Sequence, residues 1–165
     1  MSDPRAVTDR GLKAWRARDA QALAECYAED ATIVAPGGVE LRGPDGAKQF
    51  LAIWAEGFPD NEITITHEHV CGSVVVQEAV FSGTHTGGLM TPSGQVIPAT
   101  GRSLSAPYVD IFEIDGDRIT SERLYFDQVE LLTQLGLMPD PAAAASKRRL
   151  GPVPAARQGA AAFGE

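Results

Sequence analysis

Two acids stand among apolar and aromatic residues late in the chain, Asp110 within Tyr108-Val109-Asp110-Ile111-Phe112 and Asp127 at the end of Arg123-Leu124-Tyr125-Phe126-Asp127. Asp115-Gly116 between them is a turn signal, so the two runs read as the strands of one β-hairpin. A carboxyl group in apolar surroundings holds its proton more tightly than in water. It can then trade that proton with a carbon acid or an oxygen leaving group near neutral pH. With a period of two, Tyr108, Asp110 and Phe112 share one face of the first strand, and Arg123, Tyr125 and Asp127 share one face of the second. Were both faces to point inward, a pocket would hold two carboxyls, two phenols and a guanidinium. That set suits an enolisable carbonyl. One carboxylate removes the α-proton, while a protonated acid, a tyrosine hydroxyl or Arg123 stabilises the oxygen that becomes negative. The chemistry needs no metal and no cofactor. Plainer roles compete: Asp110 could pair with Arg123 across the hairpin, and Asp127 could cap a helix beginning at Gln128.

Composition narrows the partners. At 165 residues and 44% hydrophobic, the chain is long enough for one globular domain with a real core and an enclosed pocket. The net charge is −8, but four basic residues (Lys147, Arg148, Arg149, Arg157) lie in residues 141–165. Residues 1–140 therefore carry 10 Lys and Arg against 21 Asp and Glu, a net charge of −11. Such a surface repels phosphate backbones, so nucleic acid is not an expected partner. Cys26 and Cys71 fall in separate elements without metal-ligand spacing and read as buried thiols of a reducing compartment. No apolar run at the N-terminus has the form of a signal peptide, and none elsewhere reaches the ~18–20 residues needed to cross a bilayer. A soluble, cytoplasmic protein is expected, with no membrane partner.

The elements that must position these side chains are helices first and sheet afterwards. Asp3-Pro4 is a helix start, and Val7, Gly11, Ala14 and Trp15 fall on one helical face. Asp19 can cap a short second helix burying Leu23, Cys26 and Tyr27. Residues 31–35 and 39–41 form a small hairpin around Pro36-Gly37-Gly38. Pro44 and Asp45 open a third helix with an apolar stripe through Ala47, Phe50, Leu51, Trp54 and Phe58, and Pro59 ends it. From Asn61 the period changes to two, giving strands over 61–71 and 74–85 that turn at Gly72-Ser73. A Gly/Thr/Pro-rich loop over 86–101 precedes the acid-bearing hairpin at 103–127, and Leu131, Leu132 and Leu135 suggest a closing helix. Residues 141–165, rich in Ala, Pro and Arg, read as a flexible tail after a domain spanning 1–140.

Among lesser candidates, His67 and His69 read as half-exposed strand residues rather than metal ligands. His85, between Gly83 and Gly87, lies near the expected pocket mouth and could touch substrate. Trp54 and Phe58 could line the pocket from the third helix, or simply belong to its core stripe.

Several motifs, taken in order, resemble those of the SnoaL-like polyketide cyclase family: Tyr27-Ala28-Glu29-Asp30-Ala31 after a helix pair, Gly83-Thr84-His85-Thr86-Gly87, Pro98-Ala99-Thr100-Gly101-Arg102 and Arg123-Leu124-Tyr125-Phe126-Asp127. The likeness spans about residues 5–137. It implies the α+β cone of nuclear transport factor 2 and ketosteroid isomerase, a curved antiparallel sheet with about three N-terminal helices enclosing an apolar pocket. It also implies a homodimer, a small apolar ligand, and Asp127 as the acid/base of an intramolecular aldol closure. The family commonly pairs that aspartate with a histidine on the preceding strand, where this chain has Tyr108 and Asp110. Three functions follow. The first is a cofactor-independent cyclase, isomerase or lyase on a small carbonyl or polyketide-like compound, with Asp127 and Asp110 catalytic and Tyr108, Arg123, Tyr125, His85, Trp54 and Phe58 binding substrate. The second is an epoxide hydrolase using Asp110, Arg123 and Asp127 to activate water and protonate the oxirane. The third is a non-catalytic binding or dimerisation domain.

Overall fold

The computed structural model describes residues 3–139; the expected tail over 141–165 lies outside the described residues. Helix α1, Pro4–Ala17, starts where the Asp3 side chain accepts a hydrogen bond from the Arg5 backbone N–H, and it stops at Arg18 in the left-handed conformation (φ 57°). Its buried face carries Val7, Gly11, Ala14 and Trp15, the stripe expected from the sequence. Helix α2, Ala20–Ala24, is capped by the Asp19 carboxylate, which accepts from the Ala22 N–H. Strands β1, Tyr27–Ala35, and β2, Val39–Arg42, form the first hairpin. Helix α3, Gly43–Gly57, then buries Ala47, Phe50 and Leu51.

The rest of the chain is mainly sheet: β3, Glu62–Cys71; β4, Val74–Thr84; a small pair of β5, Leu89–Met90, with β6, Val96–Ile97; β7, Ser103–Asp115; β8, Arg118–Phe126. Helix α4, Gln128–Gln134, closes the fold. Six strands make one sheet in the order β2-β1-β8-β7-β4-β3. The architecture is the expected α+β one, a curved sheet with three N-terminal helices. One pairing departs from the all-antiparallel expectation: β1 runs parallel to β8, made possible because α3 and the two later hairpins intervene between them. The 86–101 loop contains the β5–β6 ribbon. Its approach to α3 is so close that a Cβ on Gly87 would lie 1.8 Å from the Glu56 carbonyl oxygen. Cys26 is buried as expected, whereas Cys71 is exposed because it ends β3 at the Gly72 turn.

Two bulges govern the side chains of the sheet. In β8, Ile119 pairs with Ile114 but Ser121 pairs with Glu113, so Thr120 is an extra residue. In β3, Ile65 pairs with Ala79 but His67 pairs with Glu78, so Thr66 is another. Each reverses which side chains beyond it face the helices. The core between sheet and helices includes an aromatic chain in which Trp54 lies 5.2 Å from Phe81, 6.0 Å from Phe126 and 6.1 Å from Phe58, ring centre to ring centre. No helix among the described residues is long and apolar enough to cross a membrane.

Candidate active site

The inward face of β7 reads Leu104, Ala106, Tyr108, Asp110, Phe112 and Ile114. On β8, counting by twos from the buried Ile119 would bring residues 121, 123, 125 and 127 inward. The bulge at Thr120 moves that set by one, and Glu122, Leu124 and Phe126 face the helices instead. Glu122 is 3% exposed and sits opposite Phe112, one step diagonally from Asp110, itself 7% exposed. Two carboxyl groups thus meet on the inner face. Tyr27, at the start of β1, donates its hydroxyl to Glu122 Oε2, and Tyr108 stands two residues from Asp110 on the same face.

These four groups line a cavity of about 90 Å³ roofed by Thr8, Gly11, Leu12 and Trp15 of α1. Its lining is otherwise apolar, apart from Thr8 and Gln77, and contains no Lys, Arg or His. Burial therefore governs the electrostatics. It raises the Asp110 carboxyl well above the usual carboxylate range, with the neighbouring Glu122 charge pushing the same way. Burial also raises Glu122, but the hydrogen bonds from Tyr27 and Asp110 hold it back. The two acids adjoin with no cation lining the cavity beside them, so a charge on either one makes ionisation of the other harder. Asp110 Oδ1 receives no hydrogen bond. Tyr108 is raised by burial and by Asp110 and Glu122, and Tyr27 by burial and Glu122, so both phenols keep their protons and remain donors.

A second chamber of about 560 Å³ lies between the β1–β2 turn, α3, the β5–β6 ribbon and α4. Phe50, Trp54, Phe126 and Leu131 line both chambers, so this wall of four side chains separates them. The inner chamber alone is smaller than the ~150 Å³ that holds a benzene ring. A larger ligand reaches the acids only where the wall of Phe50, Trp54, Phe126 and Leu131 opens toward the second chamber.

The structure brings Asp110, Tyr108 and Trp54 into this site and leaves the other candidates elsewhere. Asp127 caps α4: its Oδ1 accepts from the backbone N–H of Val129 at 2.8 Å and of Glu130 at 3.1 Å. It is exposed and lies on the outer side of the sheet, so its carboxylate cannot reach the inner chamber. Tyr125 is 55% exposed on that outer side. Arg123 points outward as well and pairs with Glu113 at 2.7 Å and the Ser121 hydroxyl at 3.1 Å, not with Asp110. The cause is the same for all three, the one-residue shift at Thr120. Phe58 is fully buried and packs behind Trp54, stacking on the His85 ring with 5.2 Å between centres. His85 is fully buried rather than at the mouth, its Nδ1 3.1 Å from the Thr100 hydroxyl, and burial lowers its pKa. His67 and His69 are exposed, and no three His, Cys, Asp or Glu side chains among the described residues are placed to hold a metal ion. Sequence reasoning missed Glu122, Tyr27 and Gln77 as site residues. Tyr27 was within a recognised motif, but nothing local to Glu122 announces that it faces inward.

Comparison with known proteins agrees with this architecture. No curated protein matches the chain. Among solved structures, IdmH of Streptomyces antibioticus, described as a candidate polyketide cyclase, is 26% identical; the match covers 82% of this chain and 99% of that one, with a TM-score of 0.67. TsrD of Streptomyces laurentii is also 26% identical over 81% of this chain and 95% of that one, with a TM-score of 0.68. A ketosteroid isomerase-like protein of Catenulispora acidiphila, solved with trimethylamine, shares the fold at 24% identity, 80% and 93% coverage and a TM-score of 0.66. The family model for SnoaL-like polyketide cyclases matches residues 6–135, most of the chain, and the protein belongs to that family.

Proposed function

We propose that the inner chamber is the active site of a cofactor-independent acid/base enzyme, a cyclase, isomerase or lyase acting on a small, largely apolar, enolisable carbonyl compound. The observation that carries this reading is the Asp110–Glu122 pair, buried in an apolar cavity without a cation. Holding one proton between them, the two acids keep one negative charge in a place that would otherwise exclude it. In the proposed step Asp110 Oδ1 takes the α-proton as the proton held between the two acids passes to Glu122, and the C–H electron pair moves through the carbonyl to its oxygen. The Tyr108 hydroxyl donates a hydrogen bond to that developing enolate. The enolate then either takes the proton back at a different carbon of a conjugated system, an isomerisation, or attacks through its α-carbon a second carbonyl of the same molecule, a ring closure whose alkoxide takes the proton back from Asp110. Tyr27 fixes Glu122 and limits how far the pair's proton affinity rises. The role first expected of Asp127 thus passes to Asp110 and Glu122. The epoxide-hydrolase reading loses its guanidinium, since Arg123 lies outside the chamber.

The family resemblance also supports a homodimer through the outer face of the sheet, where Val80, Pro107, Val109 and Tyr125 line a shallow groove.

α-Proton exchange tests the enzymatic proposal without knowledge of the natural substrate. In D2O, 2-tetralone and a panel of cyclic ketones should lose their α-proton NMR signals faster with the protein. Asp110→Asn should remove the acceleration, a loss of about 10²-fold or more. Failure of the wild type to accelerate exchange in any of these ketones would refute the proposal.

A further inference from the structure

Beyond the two acids and two phenols, the inner chamber has Thr8, whose hydroxyl donates to the Arg5 carbonyl, and Gln77. Gln77 is 6% exposed, lies on β4, and is the paired neighbour of Asp110 on β7. Paired residues on one face of antiparallel strands have Cβ atoms about 5 Å apart, so the carboxamide and the acid border the same part of the chamber. The orientation of that amide is fixed from outside. Its Nε2 donates to Glu68 Oε2 at 2.7 Å, and a carboxylate oxygen can be met only by an N–H. Glu68 is in turn held by the Arg5 guanidinium of α1 at 2.5 Å. The Thr66 bulge makes this possible, because the extra residue brings Glu68, not His67, opposite Gln77. With its nitrogen committed to Glu68, Gln77 has Oε1 left for the chamber, and no described residue donates to it.

We propose that Gln77 is a specificity-determining residue whose amide, turned by Glu68, offers its carbonyl oxygen to a hydroxyl or enol O–H carried by the bound carbonyl compound. The inference rests on the inner chamber being the substrate site and names the substrate class more closely: a carbonyl with a hydroxyl group or a second, enolised carbonyl nearby. A buried acceptor rejects a ligand that brings it no donor, because the acceptor then loses water without replacement. Ketones lacking the hydroxyl would still exchange their α-protons but would bind less well. Glu68 acts only through Gln77, since it does not line the chamber.

The test compares 2-naphthol with 2-methoxynaphthalene, which differ in the donor, by fluorescence titration of the full chain. Wild type should favour the naphthol about tenfold, the worth of one net hydrogen bond. Gln77→Leu should reduce that preference to near unity. Glu68→Ala should do so too while leaving every chamber residue in place. Glu68→Gln should retain the preference, because a glutamine carbonyl can still accept from Gln77. An unchanged preference in both Gln77→Leu and Glu68→Ala, or a wild type that binds neither compound, overturns the inference. α-Proton exchange without a naphthol preference would leave the active site standing and remove the role of Gln77. A Glu68-dependent preference without exchange would keep that role and remove catalysis.

Discussion

Asp110→Asn should stabilise the protein at neutral and alkaline pH while abolishing proton transfer. Asp110 is 7% exposed, its Oδ1 has no hydrogen-bond partner, its nearest ionisable neighbour is another acid, and no cation lines the cavity. In the unfolded chain its pKa returns to about 3.9. The folded value is raised, so the folded state binds a proton that the unfolded state gives up. The contribution of this group to stability is therefore fully present below about pH 4 and is lost as pH rises through the folded pKa. Every unit of elevation is worth 1.36 kcal/mol at pH values above it. Leaving a buried polar group badly satisfied commonly costs about 1–3 kcal/mol. Asparagine has nearly the same shape and no charge to lose, so the variant should gain about that much at pH 8. For a domain of this size 1 kcal/mol moves Tm by about 3–4 °C, and the expected gain is roughly 3–12 °C. Thermal melts followed by circular dichroism at pH 4.5, 6, 7.5 and 9 would measure it, the difference between variant and wild type growing with pH. A difference that does not change with pH, or a variant less stable than wild type at pH 8, would refute the account of the buried pair.

Three further outcomes are expected. Glu122→Gln should lower α-proton exchange by about 10²-fold or more, whereas Asp127→Asn should leave it within about twofold, since Asn caps a helix about as well as Asp; Asp127→Ala should cost about 1 kcal/mol in chemical denaturation without loss of exchange. Tyr27→Phe removes the hydrogen bond that holds Glu122 down, so the acid limb of the pH–rate profile should move to higher pH; an unmoved or lowered limb would contradict the proposed pairing. Gly87→Ala forces a Cβ against the Glu56 carbonyl and should lower Tm by several degrees and weaken 2-naphthol binding through the outer chamber; a variant unchanged in both would show that the 86–101 segment is free of α3.

Much of this fold is written locally. The Asp3 and Asp19 caps, the Val7 to Trp15 stripe and the turn at Asp115-Gly116 are short-range signals, and each element lies where they place it. That an acid in the last hairpin faces an apolar cavity was also legible, because Asp110 alternates regularly with Tyr108 and Phe112 along an unbroken stretch of β7. The parallel contact of β1 with β8 was not, since about 90 residues separate them and neither strand carries a mark of its partner. Asp127 was expected in the pocket from its place in the family motif, and the period-two count that joined it to Arg123 and Tyr125 holds, since all three lie on one face. That face points outward because of the extra residue at Thr120, whose hydroxyl donates to the Glu113 carbonyl where the ladder is broken. Threonine is an ordinary strand residue, and nothing in Ile119-Thr120-Ser121 marks a bulge.

The chemistry of the chamber accordingly depends on two single-residue insertions. Without the extra residue at Thr120, the segment after it would present Arg123 and Tyr125 to the helices and turn Glu122 to the outer face; the chamber would contain a cation beside Asp110, which would favour ionisation of that acid and remove the shared proton. Without the extra residue at Thr66, His67 would stand opposite Gln77, and the amide would lose the carboxylate that turns it. Neither change alters strand order, helix packing or the hydrophobic stripe of α1, so two chains could superpose closely and still hold opposite sets of polar groups in the same cavity. For this architecture the overall fold establishes that there is an enclosed pocket. What the pocket can do is decided by ladder register on β3 and β8, and a residue carried over by motif position alone arrives on the correct face only when the bulges between it and the turn are counted.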